Sequence, residues 1–307
     1  ELRQNLPNAW VTLIVKPTVY NLVEFCPYVN EVLIYDWNTQ GDFWKLRRHY
    51  RALLLGLHYL WKRHFDLAII PRRDIDYYYA TFVAYLSGAV LRIGYSENIN
   101  EHKQQLNNGF DCLFTHALKN RMLKHEVEHN LDIIRFLGGN IYDTLLELWI
   151  KDEDDAFAEK VFESYGVGAN ETIVNLHLGA SHAKRQWPMT FFAELGLWLQ
   201  NEHKARILVV GSSSEKLLGI SLKQALGRSV VDVIGKATLR QTAALLKRCH
   251  LFIGNDSGPM HIAAAFGVPI VELSCHPKTG SPFSSNSPFR FRPWTHKFEV
   301  IQPNRAI

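Results

Sequence analysis

The chain has 307 residues, 47% of them hydrophobic and 12% aromatic, and a net charge of +4. That length is too great for one small core and leads to the expectation of two domains, and the composition excludes a disordered chain. No apolar run is long enough to span a bilayer, no secretory leader is recognised, and Cys26, Cys112, Cys249 and Cys275 form no C-x-x-C pair, so they are read as free thiols of a reducing, cytoplasmic compartment.

In chain order, "ELRQN" (1–5) reads as the last turn of a helix and Pro7-Asn8 as a turn. A strand and most of a helix are therefore expected upstream. "WVTLIVK" (10–16), "EVLIYD" (31–36), "FDLAIIP" (65–71) and "VLRIGY" (90–95) read as strands. Between them, 42–64 has helical periodicity with a basic face, and "YYYATFVAYLSG" (77–88) is a second helix. The polar stretch 96–109 reads as loop, and 125–139 as a helix stopped by Gly138-Gly139.

The second half repeats this plan more cleanly. Strands are expected at 172–179, 205–212, 230–235, 251–255 and 269–274, with helices near 190–202, 214–226, 238–248 and 258–266. β-branched runs alternating with helices mark parallel strands buried on both faces. The expected fold is α/β, with one domain over 1–150 and a second over 151–307, joined near the acidic "KDEDD" at 151–155.

Charge separates the two halves. Residues 1–150 carry 16 Lys+Arg and 16 Asp+Glu, whereas 172–307 carry 16 against 7. A basic second half favours an anionic ligand. In open parallel sheets such a ligand sits at the C-terminal ends of the strands.

Four loops fall at that edge. In "FIGNDSGPMHIAAAFG" (252–267) a helix opening at Ser257 or Gly258 points free N–H groups into the loop. Ser257 can cap them, Gly258 allows close approach, and Pro259 in the first turn wastes no donor. Asp256 can accept from a sugar or ribose hydroxyl, and His261 can donate to a phosphate oxygen; a buried cap is the competing reading of the same residues. "GASHAKRQWP" (179–188) offers Ser181, then the cations Lys184 and Arg185 before a helix start. "GSSSE" (211–215) offers Glu215 for a ribose, and "GKATL" (235–239) is the fourth loop. A nucleoside diphosphate is the simplest occupant. G-x-G-x-x-G after a first strand and G-x-x-x-x-G-K-[ST] are both missing, which speaks against a dinucleotide oxidoreductase and excludes P-loop hydrolysis.

"HLGAS…AKRQWP", "GNDSGPMHIAAAFGVP" and "HEVEHNL", with "NLPNAWVTLIV", "PYVNEVLIYD" and "FDLAIIPRR" upstream, resemble glycosyltransferase family 9. The best-known members are ADP-heptose:lipopolysaccharide heptosyltransferases. The resemblance implies the GT-B architecture, two Rossmann-like domains facing across a cleft. It also implies inverting transfer from a nucleotide-sugar donor, with no required metal or other cofactor. The acceptor it implies is a glycolipid or oligosaccharide of the cell envelope, and no nucleic acid is involved. It assigns Asp256, Ser257, Gly258 and His261 to the donor diphosphate and sugar, Lys184 or Arg185 to the phosphates, Glu215 to the ribose and Ala237 to the adenine pocket.

The family's general base is usually an aspartate in a Gly-Asp loop after the very first strand, a segment expected upstream of this chain. Within it, Asp74 and Asp76 of "PRRDIDYYY" are candidates, and Asp76 also reads as a helix cap. Arg72 and Arg73 can meet phosphate or carboxylate groups of the acceptor. The helix at 42–64, with Trp44, Lys45, Arg47, Arg48 and Arg51, can rest on an anionic membrane surface, or be a solvated basic face. The tail "SCHPKTGSPFSSNSPFRFRPW" departs from the heptosyltransferase pattern.

Three rivals stand beside this reading. One is a non-catalytic nucleotide-sugar-binding protein, and another is a sugar-nucleotide epimerase of the same architecture. The third is a zinc hydrolase built on the H-E-x-x-H of His125, Glu126 and His129, in which Glu128 intrudes and no third ligand follows at a persuasive spacing.

Overall fold

A computed structural model describes residues 1–37, 44–284 and 286–305, with the side chains of Trp44, Lys45 and Arg228 left outside that description. The chain divides into two compact units, Glu1–Tyr20 with Pro27–Thr144, and Asn21–Cys26 with Leu145–Ile307.

In the first unit a short helix α1 (Leu2–Asn5) precedes strand β1 (Thr12–Val15), which pairs in parallel with β2 (Glu31–Ile34). Helix α2 (Pro17–Val23) follows β1, and its end, from Asn21, belongs to the second unit. Helix α3 (Trp44–Leu54) runs on through a π-helical stretch (Leu55–Leu60) and a 3-10 turn (Trp61–Arg63). Strands β3 (Leu67–Ile70), β4 (Leu91–Tyr95) and β5 (His116–Leu118) form a parallel sheet. Helices α4 (Ala80–Leu86), α5 (Glu101–Leu106) and α6 (Glu126–Phe136) complete the unit.

The stretch 96–109 is not the loop its polarity suggested. It holds a 3-10 turn (Glu97–Ile99) and α5, and its polar residues are their caps. Ser96 Oγ accepts from Asn98 N at 3.1 Å, and Asn100 Oδ1 from Lys103 N at 2.8 Å. Lys103 then turns inward. Its Nζ donates to Tyr95 O at 2.7 Å and to Arg72 O and Arg73 O at 3.3 Å each, tying α5 to the ends of β3 and β4. Burial pulls its ammonium down to about 8, against the pull of Asp76, Asp111 and Asp74. Lys103→Met is expected to lower the urea-unfolding free energy by about 2 kcal/mol, since three carbonyls, two of them buried, lose a charged donor; an unchanged midpoint would remove this tie from the fold.

The second unit is one six-stranded parallel sheet in the order β11-β10-β9-β6-β7-β8. Its strands are β6 (Ile173–His177), β7 (Arg206–Val209), β8 (Val230–Asp232), β9 (Leu251–Asn255), β10 (Ile270–Leu273) and β11 (Phe298–Ile301). Its helices are α7 (Asp152–Ser164), α8 (Met189–His203), α9 (Lys216–Leu226), α10 (Leu239–Lys247), α11 (Gly258–Ala265) and the short α12 (Pro288–Phe291). One sheet face packs on α8 and α9 through Phe192, Leu199, Leu222 and Leu226. The other packs on α7, α10 and α11 through Ala158, Phe162, Ala243–Leu246 and Met260. Strands carrying apolar residues toward both faces are what the continuous runs required.

Two boundaries differ from the sequence expectation. "KDEDD" is no joint: Asp152, Glu153, Asp154 and Asp155 are the first turn of α7, where carboxylates meet the positive helix end. The second unit also starts earlier and recruits 21–26. Leu148 and Ile150 pack on its core, as does Leu22. Arg240 donates to Asp154 at 2.7 Å and to Glu24, and Phe25 lies between the Arg240 guanidinium at 4.5 Å and Lys151 Nζ at 3.5 Å.

Candidate functional site

All strands of the second sheet are parallel, so the segments that follow β6, β7, β9 and β10 leave from one edge. Asn255, fully buried at the end of β9, fixes the first of them. Its Nδ2 donates to Leu178 O at 3.0 Å and Gly179 O at 3.2 Å, and its Oδ1 accepts from Trp187 N at 2.9 Å. One amide thereby holds both ends of the 179–188 loop. That loop carries Lys184 and Arg185 in a 3-10 turn (Ala183–Arg185). Lys184 and Ser181 are exposed, while Arg185 is half-buried.

Arg185 faces the loop after β9. Burial pushes the Asp256 carboxyl up from its ordinary range, and the Arg185 guanidinium pulls it back. Of the two candidate cations, Arg185 is the one tied electrostatically to Asp256. Among the described residues, no hydrogen bond to the Asp256 carboxylate is recorded. Ser257 is the N-cap of α11 by its extended backbone, but its hydroxyl makes no cap bond. Ser257 Oγ is buried without a partner. The cap expected of that side chain is therefore absent, and a buried hydroxyl is left for something else. A Cβ on Gly258 would meet nothing within 4 Å, so the space over the start of α11 is open. His261 stands in the first helical turn, half-buried.

Glu215 closes the far side. Its Oε2 accepts from Ser212 N at 2.6 Å and Ser212 Oγ at 2.9 Å, a capping box for the turn before α9. A Cβ on Gly179 would fall on Oε1 of Glu215, and one on Gly211 would lie 2.6 Å from Oε2. Both glycines make room for this carboxylate. Ala237 is half-buried and packs against the core.

A row of residues that sequence reasoning passed over lies across the sheet just below these loops. His177 on β6, Gly254 on β9 and Glu272 on β10 are register partners on three adjacent strands. His177 is buried, and burial pulls its imidazole down against the charge of Glu215. Glu272 is 1% exposed and its Oε2 has no partner. Burial pushes its carboxyl up to about 8, Asp256 adds to the rise, and Ser274 and Arg292 oppose it. Burial thus favours the uncharged form of both side chains. The acid in "PIVELS" was legible as a charge inside an apolar strand, which is the signal for it.

In the first unit the structure gives Asp76 a structural task. It is 3% exposed, Oδ1 accepts from Tyr78 N at 3.2 Å and Ala80 N at 3.1 Å, and Oδ2 accepts from Thr81 N at 2.8 Å. Both oxygens serve the start of α4, which removes it as a base. Arg73 is 2% exposed and donates to Arg121 O at 3.4 Å, so it is buried rather than offered to an acceptor. Arg72 lies 4.7 Å from the Tyr78 ring, where Lys16 also sits, 3.9 Å from the ring centre and bonded to Tyr78 Oη at 2.7 Å. Lys16 follows β1 directly, as Arg72 follows β3, and was missed because a lone lysine after a strand carries no signal.

The zinc arrangement is not formed. His125 lies outside α6 as its cap, with Nδ1 accepting from Val127 N at 3.2 Å, and His129 Nε2 accepts from Lys124 N at 3.2 Å. Among the described residues no group of three His, Cys, Asp or Glu is placed to hold a metal ion.

Comparison with known proteins decides the kinship. The family description "Glycosyltransferase family 9 (heptosyltransferase)" matches residues 58–306. The chain belongs to glycosyltransferase family 9. Lipooligosaccharide heptosyltransferase 2 of Campylobacter jejuni is 25% identical over 153 residues, 49% of this chain and 48% of that protein. Lipopolysaccharide core heptosyltransferase OpsX of Haemophilus influenzae is 22% identical over 98% of this chain and 77% of its own length. In the first of these the match spans about half of the relative. Among solved structures, a family 9 glycosyl transferase from Veillonella parvula superposes with a TM-score of 0.80 at 21% identity, covering 98% of this chain and 79% of that one. Escherichia coli heptosyltransferase WaaC with ADP gives 0.69 at 17%, covering 98% and 87%. The α/β fold of the family 9 chain is therefore that of the GT-B glycosyltransferases.

Proposed function

We propose that this chain transfers a sugar, with inversion, from a nucleoside-diphosphate donor to a cell-envelope glycan acceptor. The donor that fits the family and the ADP bound by Escherichia coli WaaC is ADP-heptose, and the acceptor is a lipopolysaccharide core. The observation that carries the reading is the open start of α11, where the buried, unpartnered Ser257 hydroxyl adjoins Asp256, a carboxylate within the electrostatic reach of Arg185. In this reading Arg185, His261 and the α11 N–H groups take the diphosphate, with Lys184 at the exposed rim, and Asp256 accepts from sugar hydroxyls. Ser181 and Glu215 hold the nucleoside, the latter through a ribose hydroxyl on its free Oε1, and Ala237 lines the base.

Chemistry follows from charge. The acceptor hydroxyl attacks the anomeric carbon from the face opposite the diphosphate and gives its proton to a base other than Asp76. The C–O bond to the diphosphate breaks as the new one forms. Negative charge gathers on the leaving group, where Arg185 and the helix dipole stabilise it, about 1.5–3 kcal/mol for each charge-assisted bond. In the first unit, Arg72 and Lys16 around Tyr78 are the groups this reading assigns to an anionic acceptor. The epimerase and pure-binding rivals lack any observation that favours them here.

Calorimetric titration with ADP, UDP and GDP, each with and without EDTA, tests the reading. ADP is expected to bind in preference to the other two, unaffected by EDTA, and to bind at least tenfold more weakly to Arg185→Ala. Equal, EDTA-sensitive or absent binding of all three sinks it.

A further inference from the structure

Helix α3 and its extension present an apolar stripe that stays largely exposed. Leu46 is 68% exposed, Tyr50 59%, Leu53 39%, Leu57 44% and Trp61 53%. Their spacings of three or four residues place them on one side of the helix. A neighbouring face supplies the fold: Ala52, Gly56 and Leu60 are buried, and a Cβ on Gly56 would strike α4 at Leu86. The helix therefore has two apolar faces, one spent on the core and one left outward. Beside the outward face, Leu46, Arg47, His49, Tyr50, Leu53 and Phe82 line an open groove of about 540 Å³. A soluble monomer rarely leaves a contiguous apolar surface of this kind without use.

Charge selects the occupant. Between Trp44 and His64 there is no acidic residue, and the same span carries Lys45, Arg47, Arg48, Arg51, Lys62 and Arg63. Arg51 pairs with Asp36 at 3.1 Å, and Arg63 with Glu31, both acids outside the helix. A second copy of the chain on this face would oppose cation to cation. Tyr50 and Trp61 on this stripe are aromatic and exposed, the residue types that settle at headgroup depth. We propose that the outer face of 46–62 is a docking surface for an anionic lipid bilayer, its apolar stripe entering the headgroup boundary and the exposed Arg47 and Lys62 facing lipid phosphates. Such a surface needs no spanning segment, and no helix among the described residues is long and apolar enough to be one. It stands apart from the sugar-transfer reading, since it involves none of the residues assigned to the donor.

Flotation of the chain with vesicles tests it. The protein is expected to float with phosphatidylglycerol-containing vesicles, to stay behind with pure phosphatidylcholine, and to be released as salt rises. Tyr50→Gln with Leu57→Gln is expected to cut partitioning by about tenfold or more. Arg47→Glu with Lys62→Glu is expected to do so by a comparable factor. All four residues are solvent-exposed, so the variants are expected to keep the melting temperature of the parent, which circular dichroism reads. Absent flotation overturns the proposal, as does equal flotation with both vesicle types or variants that partition like the parent. Sedimentation velocity adds a further arm: a dimer of the parent that the same variants dissolve would assign the face to self-association and overturn it too.

Discussion

Glu272→Gln is expected to abolish most of a stability loss that the parent chain shows on going from about pH 5 to pH 8. The folded protein holds this carboxyl protonated up to about 8, first because burial penalises its charge and next because Asp256 lies close. An unfolded chain releases the same proton near its ordinary value of 4.5. Between those values the folded state binds one more proton than the unfolded state, so stability falls as pH rises. Below the window the two states are both protonated, and above it both are ionised, so the curve flattens at each end. The window is worth about 5 kcal/mol, at 1.36 kcal/mol per pKa unit, of which about 3.5 falls between pH 5 and pH 8. Glutamine keeps the shape and the neutrality and titrates nowhere, so its urea-unfolding free energy should run nearly level from pH 5 to 8. At pH 8 the variant should be the more stable protein. Parallel pH profiles for the two chains would mean that Glu272 is ionised in the folded state and compensated by Arg292.

Five of the six strands of the second unit's sheet were legible because each is an apolar run whose residues are buried on both faces. The loops at its edge were legible for the same reason: once strand ends are placed, Arg185, Asp256 and Glu215 fall on one rim. What local pattern could not supply is which atoms are already taken. Asp76 reads equally as base or cap until three backbone N–H groups are seen to point at its oxygens. Ser257 reads as a cap until its hydroxyl is found without a partner. Lys103 and Arg73 look like surface charges because charged residues are seldom buried, and only long-range packing shows otherwise. α7 was hidden by its own first turn, since four consecutive acids suggest a solvated joint and the helix dipole that accommodates them is a three-dimensional fact. β11 was missed because its parallel partner, β10, lies a long tail away in sequence.

Asn255 separates holding the 179–188 loop in shape from touching a nucleotide. Replacement by leucine keeps the volume and deletes a side chain whose amide bonds Leu178 O, Gly179 O and Trp187 N at 2.9–3.2 Å inside the protein. The orphaned carbonyls and N–H cannot reach water without loosening the loop, so a loss of about 3–5 kcal/mol in urea-unfolding free energy is expected. Nucleotide affinity should fall with it, because Arg185 is carried on the segment that Asn255 closes. Arg185→Ala makes the contrasting case. Its guanidinium is half-buried at the surface end of the same loop, so unfolding should change little while the Kd for ADP rises about ten- to a hundredfold. Asn255→Asp sharpens the comparison. It preserves the acceptor for Trp187 N but turns an oxygen toward two carbonyl oxygens, so it should destabilise nearly as much as leucine at pH 8 and less at pH 4, where the carboxyl can donate. If Asn255→Leu left ADP affinity intact while stability dropped, the loop would hold its shape without this amide.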